Sequence, residues 1–158
     1  MRRIAQMLTC VFFSLSLIAP TWGQNQCPGT DFQCLVDDAV ARGVERLRQY
    51  EGGHGFVLIE GQRNANFLAA LAFMEQYAVR YWDSRPRGFA GLSIDDQATV
   101  QRLLRHAIAE DPAFRIPGAI GYNYTVGGTM MALSTYLATG GPDDLGASVT
   151  AQQALANA

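Results

Sequence analysis

Two kinds of helical pattern alternate along the chain. Residues 34–50 and 93–110 carry apolar side chains at helical spacing on one side only, which predicts amphipathic helices. Residues 64–82 and 125–139 are apolar nearly all the way round, which predicts helices buried on most sides. A fifth, amphipathic helix is predicted over 144–158. The pattern therefore predicts an all-α fold in which outer, amphipathic helices alternate with inner, buried ones.

The outer helices show which side should face the core. The apolar stripe of the first helix consists of Val36, Val40, Val44, Leu47 and Tyr50. The charged residues of the first and third helices lie off their stripes, so we expect them to be solvated.

Several polar residues stand where a helix begins. Ser93 and Asp96 resemble a capping box, with Asp in place of the usual Glu. Thr125 is the predicted N-cap of the fourth helix, and Asn64 or Asn66 that of the second.

Two adjacent glycines, Gly127 and Gly128, fall in the first turn of the fourth helix. Glycine in a helix interior costs about 1 kcal/mol relative to alanine. We interpret both as positions where another element packs too closely for a side chain.

The N-terminal residues have the layout of a secretory signal peptide. "MRR" is positively charged, "MLTCVFFSLSLIAP" is apolar, and "PTWGQ" offers small residues for cleavage after Gly23. The chain then divides into a signal peptide (1–23), an N-terminal segment (24–35) and a helical domain (36–158). We expect export to the periplasm or the medium, with no membrane span left after cleavage. An uncleaved anchor is the alternative.

Cleavage would leave two cysteines, Cys27 and Cys34, in "CPGTDFQC". Export places them in an oxidising compartment, and the Pro-Gly pair favours a turn between them. We predict a disulfide that closes this small loop; two free thiols are the alternative.

Composition narrows the possible partners. Apolar residues make up 49% and charged residues 16% of the chain, the formal net charge is −2, and there is no basic run. A nucleic-acid partner is therefore not expected. His54 and His106 have no metal-ligand spacing to the cysteines, and no cofactor motif is present, so no metal site and no cofactor is predicted.

The stretches "AVARGVERLRQYEGGHGF", "NANFLAALAFMEQ" and "GYNYTVGGTMMALSTYLATGG" resemble the prenyltransferase and squalene-cyclase repeat. The resemblance implies a partial α/α toroid: an outer helix, a glycine-rich turn and an inner helix, repeating at roughly 50–60 residues. It also implies that the turns "YEGGHGF" and "IPGAIGYNY" converge at one end of the helices. The candidate ligand-binding residues there are His54, Phe56, Tyr122 and Tyr124.

The chain departs from this family where catalysis would occur. Hopene-type cyclases protonate their substrate with an Asp-x-Asp-Asp string, which is missing here. The nearest candidates, Asp95, Asp96, Asp143 and Asp144, stand at predicted helix starts, where capping and the helix dipole favour a carboxylate. No catalytic residue is therefore assigned.

The helix count leaves three architectures open. Two outer–inner pairs and part of a third cannot close a toroid, so the chain is a fragment, a collapsed bundle or half of a pair with another chain. We expect an exported, noncatalytic repeat domain that binds an apolar small molecule or a protein partner. The alternative is part of a terpenoid cyclase-like enzyme whose catalytic residues lie beyond Ala158, so whether the chain belongs to an enzyme stays open.

Overall fold

The structure is a computed structural model, and it describes residues 32–51, 65–76, 87–121 and 123–158. These residues form five α-helices and no strand, which confirms the all-α prediction. The helices are α1 (Phe32–Glu51), α2 (Asn66–Met74), α3 (Ile94–Glu110), α4 (Asn123–Ala138) and α5 (Ala151–Asn157). A short 3₁₀ turn, Pro112–Phe114, follows α3. None of the described helices is both long and apolar enough to cross a bilayer.

Helix α2 lies at the centre of the described structure, packed against both α3 and α4. It carries no charged residue, and Phe67, Ala70, Phe73 and Met74 are all buried. Its neighbours supply other core side chains. Those that are fully buried include Val100, Leu103, Leu104 and Ile108 from α3, and Ala132, Leu133 and Tyr136 from α4.

Only one of the two glycines of α4 is a close-packing position. A Cβ atom on Gly128 would lie 2.1 Å from the ring of Phe67, so α4 can approach α2 only because this residue has no side chain. A Cβ atom on Gly127 would have no neighbour within 4 Å, because this residue faces solvent. The prediction of close packing is therefore right for Gly128 and wrong for Gly127.

Three predicted helix boundaries are wrong. Helix α2 ends at Met74 rather than 82, because the carbonyls of Met74 and Gln76 accept hydrogen bonds from the returning backbone at 88 and 87. Helix α5 begins at Ala151 rather than 144, because Asp144 accepts from the backbone N–H of Gly146 and forms a turn there. Helix α1 begins at Phe32, which places Cys34 in its first turn.

Two predicted caps also differ from the structure. Helix α4 begins at Asn123, so Thr125 lies inside its first turn and is not the N-cap. Asn66 is the first residue of α2, whose N-cap is Ala65, and no side chain caps it. The Ser93 cap is confirmed, since its hydroxyl accepts from the backbone N–H of Asp96 at 3.2 Å.

Four charged residues of α1 and α3 form ion pairs between the two helices, so the expectation that Arg48 and Arg102 are simply solvated is wrong. Arg48 of α1 binds Asp96 of α3 through two hydrogen bonds of 2.8 and 2.9 Å. In return, Arg102 of α3 binds Glu51 of α1 through two of 2.9 and 3.0 Å. Both carboxylates are buried. Two reciprocal arginine–carboxylate pairs therefore join α1 to α3.

The inner–outer alternation describes α2 better than α4. Val40 and Tyr50 of the α1 stripe are exposed, whereas Val44 is buried. Helix α4 buries one side against α2 and α3 and leaves the other side in solvent, although it was predicted to be buried all round. The reason is that its described neighbours cover only one side of it.

The two glycines of α4 give a matched test of this packing. We expect Gly127→Ala to stabilise the protein by about 0.5–1 kcal/mol, because alanine is the better helix former and nothing obstructs its methyl group. We expect Gly128→Ala to destabilise it by about 1–3 kcal/mol, because the methyl group would displace Phe67. Denaturant unfolding followed by circular dichroism measures both, and equal effects at the two positions would contradict the assignment.

Candidate functional site

Polar side chains from three helices meet at one end of the core. Asn66 begins α2, His106 and Glu110 lie in the last turns of α3, and Thr125 lies in the first turn of α4. The antiparallel course of α3 relative to its neighbours brings the end of one helix to the beginning of the other two. Asn66 and Thr125 are buried, whereas His106 is half-buried.

His106 has two competing partners at a single ring nitrogen. Its Nδ1 atom lies 3.1 Å from Nδ2 of Asn66 and 3.3 Å from Oε1 of Glu110. A neutral ring that carries its proton on Nε2 accepts from Asn66 at Nδ1, whereas a protonated ring donates from Nδ1 to Glu110. His106 therefore bridges α3 and α2 through its contact with Asn66.

Asp111 anchors the second half of this cluster. One of its carboxylate oxygens accepts from the backbone N–H of Ala113 at 3.0 Å and so caps the 3₁₀ turn. The other accepts from the hydroxyl of Thr125 at 3.1 Å, which ties the start of α4 to the end of α3. The side chain of Asp111 is buried, so these two donors replace water around its charge.

A small cavity lies beside this pair. Its lining comprises Asn66, Phe67, Ala107, Asp111, Thr125 and Thr129. The cavity has a volume of about 10 Å³, which is room for one water molecule. Four of the six lining residues are polar, so a molecule of that size could form hydrogen bonds there.

Of the predicted ligand-binding residues, the structure describes Tyr124. Its side chain is 58% exposed, and its ring meets the buried ring of Phe67 edge-on, with 5.6 Å between centroids. His54, Phe56 and Tyr122 lie outside the described residues, so their convergence with Tyr124 stays a prediction. Tyr124 stands directly before Thr125, at the same end of the core as the polar cluster.

Tyr124 also begins an exposed face along α4. This face consists of Tyr124, Gly127, Met131, Ser134 and Ala138, and we call it the α4 face. Met131 is 62% exposed, and α4 contains no charged residue along its whole length. Helices that are apolar on most sides are ordinarily covered, so the α4 face stands out from the charged surfaces of α1 and α3.

Three of the four acid candidates, Asp96, Asp143 and Asp144, form hydrogen bonds that stabilise the fold. Arg48 lowers the pKa of Asp96, mainly through its hydrogen bonds, and so holds this carboxylate in its charged form. Asp143 accepts from the backbone N–H of Gln152 at the start of α5. Asp144 forms the turn at Gly146, and Asp95 is exposed in the first turn of α3.

No group of three or more metal-binding side chains exists among the described residues. Cys34 is half-buried in the first turn of α1, and Cys27 lies outside the described residues, so the predicted disulfide stays a prediction.

Comparisons with known proteins add no further assignment. No family model matches the chain, and no curated protein or solved structure matches it. The resemblance to the cyclase and prenyltransferase repeat therefore stays a hypothesis.

Sequence reasoning missed the polar cluster, because its members are far apart in the chain. Asn66 and Thr125 have the signature of helix caps, and nothing local indicates that each bonds to the end of α3. One signal was available: Asp111 precedes Pro112, which marks it as the start of a new turn.

Two threonines of α4, Thr125 and Thr129, give a matched test of the Asp111–Thr125 contact. We expect Thr125→Val to lower the free energy of unfolding by about 1–3 kcal/mol, since a buried carboxylate then loses a donor. Thr129→Val is the control, because Thr129 lines the same cavity one turn later without bonding to Asp111. Denaturant unfolding of both variants measures the difference, and a larger effect at Thr129 would show that the contact contributes little.

Proposed function

We propose that this chain is an exported, noncatalytic helical domain that binds a protein partner through the α4 face. The observation that carries the proposal is the exposure of Tyr124 and Met131 on a helix without a single charged residue. Exposed aromatic and methionine side chains are enriched where proteins bind one another, and charged residues are depleted there.

A protein partner fits this face better than an apolar small molecule. Pockets for such ligands have volumes of roughly 300–1,000 Å³. The cavity beside Asp111 has room for about one water molecule, far less than such a ligand requires. The α4 face, in contrast, follows a helix of 16 residues, which is long enough to receive another helix or a strand.

The alternative, part of a terpenoid cyclase-like enzyme, lacks a supporting observation among the described carboxylates. An acid that protonates an alkene must hold its proton, so its pKa has to be raised. Asp96 has the opposite environment, because Arg48 lowers its pKa. We therefore prefer the binding domain.

Export can be tested on the chain recovered from the periplasm or the medium. We expect an N-terminus at Gln24, because the signal-peptide layout places cleavage after Gly23. We also expect reduction to add the mass of two hydrogens, as a Cys27–Cys34 disulfide requires. A chain that still begins at Met1 would contradict cleavage, and an unchanged mass on reduction would contradict the disulfide.

Partner binding can be tested with a photoreactive amino acid at Tyr124 or Met131 in the producing cell. Ile94, which is 84% exposed at the start of α3, is the control position. We expect one protein to be labelled from both face positions and not from Ile94. That protein, once purified, should bind the wild-type chain and bind Met131→Glu at least about 10-fold more weakly, because the new charge must be desolvated.

Two outcomes would contradict this proposal. One is the same set of labelled proteins from Ile94 as from Met131. The other is unchanged affinity of the purified partner for Met131→Glu, with Ile94→Glu as the matched control. A labelled second copy of this chain would identify the partner as the protein itself.

A further inference from the structure

Helix α1 is attached to the rest of the described structure near its C-terminal end. Val44 is buried and Leu47 half-buried, whereas several apolar side chains nearer the N-terminal end are exposed. Phe32 is 76% exposed, and Leu35 and Val40 are each 48% exposed. Only part of the apolar stripe of α1 is therefore buried. Apolar burial contributes less to the attachment of α1 than to that of α2, α3 or α4.

The two arginine–carboxylate pairs supply the other part of the attachment. Each pair has one buried carboxylate, Asp96 or Glu51, and one arginine that is about one-third exposed. Arg102 also donates to the hydroxyl of Thr99 at 2.9 Å, and Arg48 to Glu45 of its own helix at 2.9 Å. Dissolved ions therefore have access to the guanidinium groups, and salt screens partly exposed pairs more than buried ones.

The attached end of α1 covers an aromatic side chain of α2. The guanidinium carbon of Arg48 lies 5.6 Å from the centre of the Phe73 ring, and Phe73 is fully buried. Cations at this distance from an aromatic face are attracted to it. Separation of α1 from the core would remove the guanidinium of Arg48 from the ring of Phe73.

We propose that α1 is a releasable cover over Phe73, held closed by the Arg48–Asp96 and Arg102–Glu51 pairs, and that it opens as a unit while α2, α3 and α4 stay folded. Elements with few buried apolar contacts open locally at a lower free energy than the global unfolding of the core. Helices α2, α3 and α4 share a continuous apolar core, so they are expected to open together. This inference does not depend on the proposed function of the α4 face.

Hydrogen exchange of the full chain, read by mass spectrometry, tests the proposal. The test variant combines Arg48→Met and Arg102→Met, which keep most of the aliphatic length and remove both charges. We expect amide exchange in residues 32–51 to become at least about 10-fold faster, because two buried carboxylates lose the arginines that bind them. Exchange in residues 94–110 and 123–138 should change by less than about 3-fold.

Arg46→Met is the matched control on the same helix. Arg46 bonds only within α1 among the described residues, to Gln49 and Tyr50, at 3.2 Å in each case. Its replacement should leave exchange in α1 within about 3-fold of the wild type. If Arg46→Met speeds exchange in α1 as much as the double variant does, the two arginine–carboxylate pairs are not what holds α1 against the core.

Two further outcomes would overturn the proposal itself. One is unchanged exchange of α1 in the double variant, and the other is an equal loss of protection in α1, α3 and α4. If the double variant does not fold, the salt dependence of hydrogen exchange in the wild type tests the proposal instead. Raising NaCl from 0.1 to 1 M should speed exchange in α1 by about 3-fold relative to α3, since the screening length falls from about 10 to about 3 Å. An unchanged ratio would contradict a cover held by ion pairs.

Discussion

The close approach of α4 to α2 is the contact on which the core depends. Helix α2 has nine residues and no charge, so it requires apolar neighbours on more than one side. Helix α3 covers one side with Val100, Leu103 and Leu104. Helix α4 can cover another only because Gly128 leaves room for the ring of Phe67. The same arrangement brings the end of α3 to the starts of α2 and α4, where the polar cluster forms.

Local patterns in the sequence were sufficient for the type and order of the helices. The apolar stripes of α1 and α3 and the uniformly apolar α2 follow directly from residue spacing, because helical geometry fixes which side chains share a face. The Ser93 cap is likewise local, since its hydroxyl accepts from the backbone N–H three residues later. Helix boundaries were less accurate, because α2 ends through hydrogen bonds from a distant returning segment.

Pairings across the chain could not be predicted from the sequence. Arg48 and Asp96 are 48 residues apart, and Asn66 and His106 are 40 residues apart. Residue spacing shows that such a side chain lies beside an apolar stripe, but it does not show which charge or ring will face it. The exposure of the α4 face was missed for a related reason: an apolar helix predicts burial, and the sequence does not say which molecule supplies the cover.

Helices α1 and α4 are attached to the α2–α3 core by different forces. Helix α4 is joined through buried apolar side chains, and this attraction is little affected by screening of charges. Helix α1 is joined in large part by two ion pairs, whose strength depends on the surrounding salt. A change in ionic conditions therefore acts on α1 before it acts on α4. The α4 face keeps its geometry while the surface at Phe73 opens or closes, so the two surfaces can respond independently.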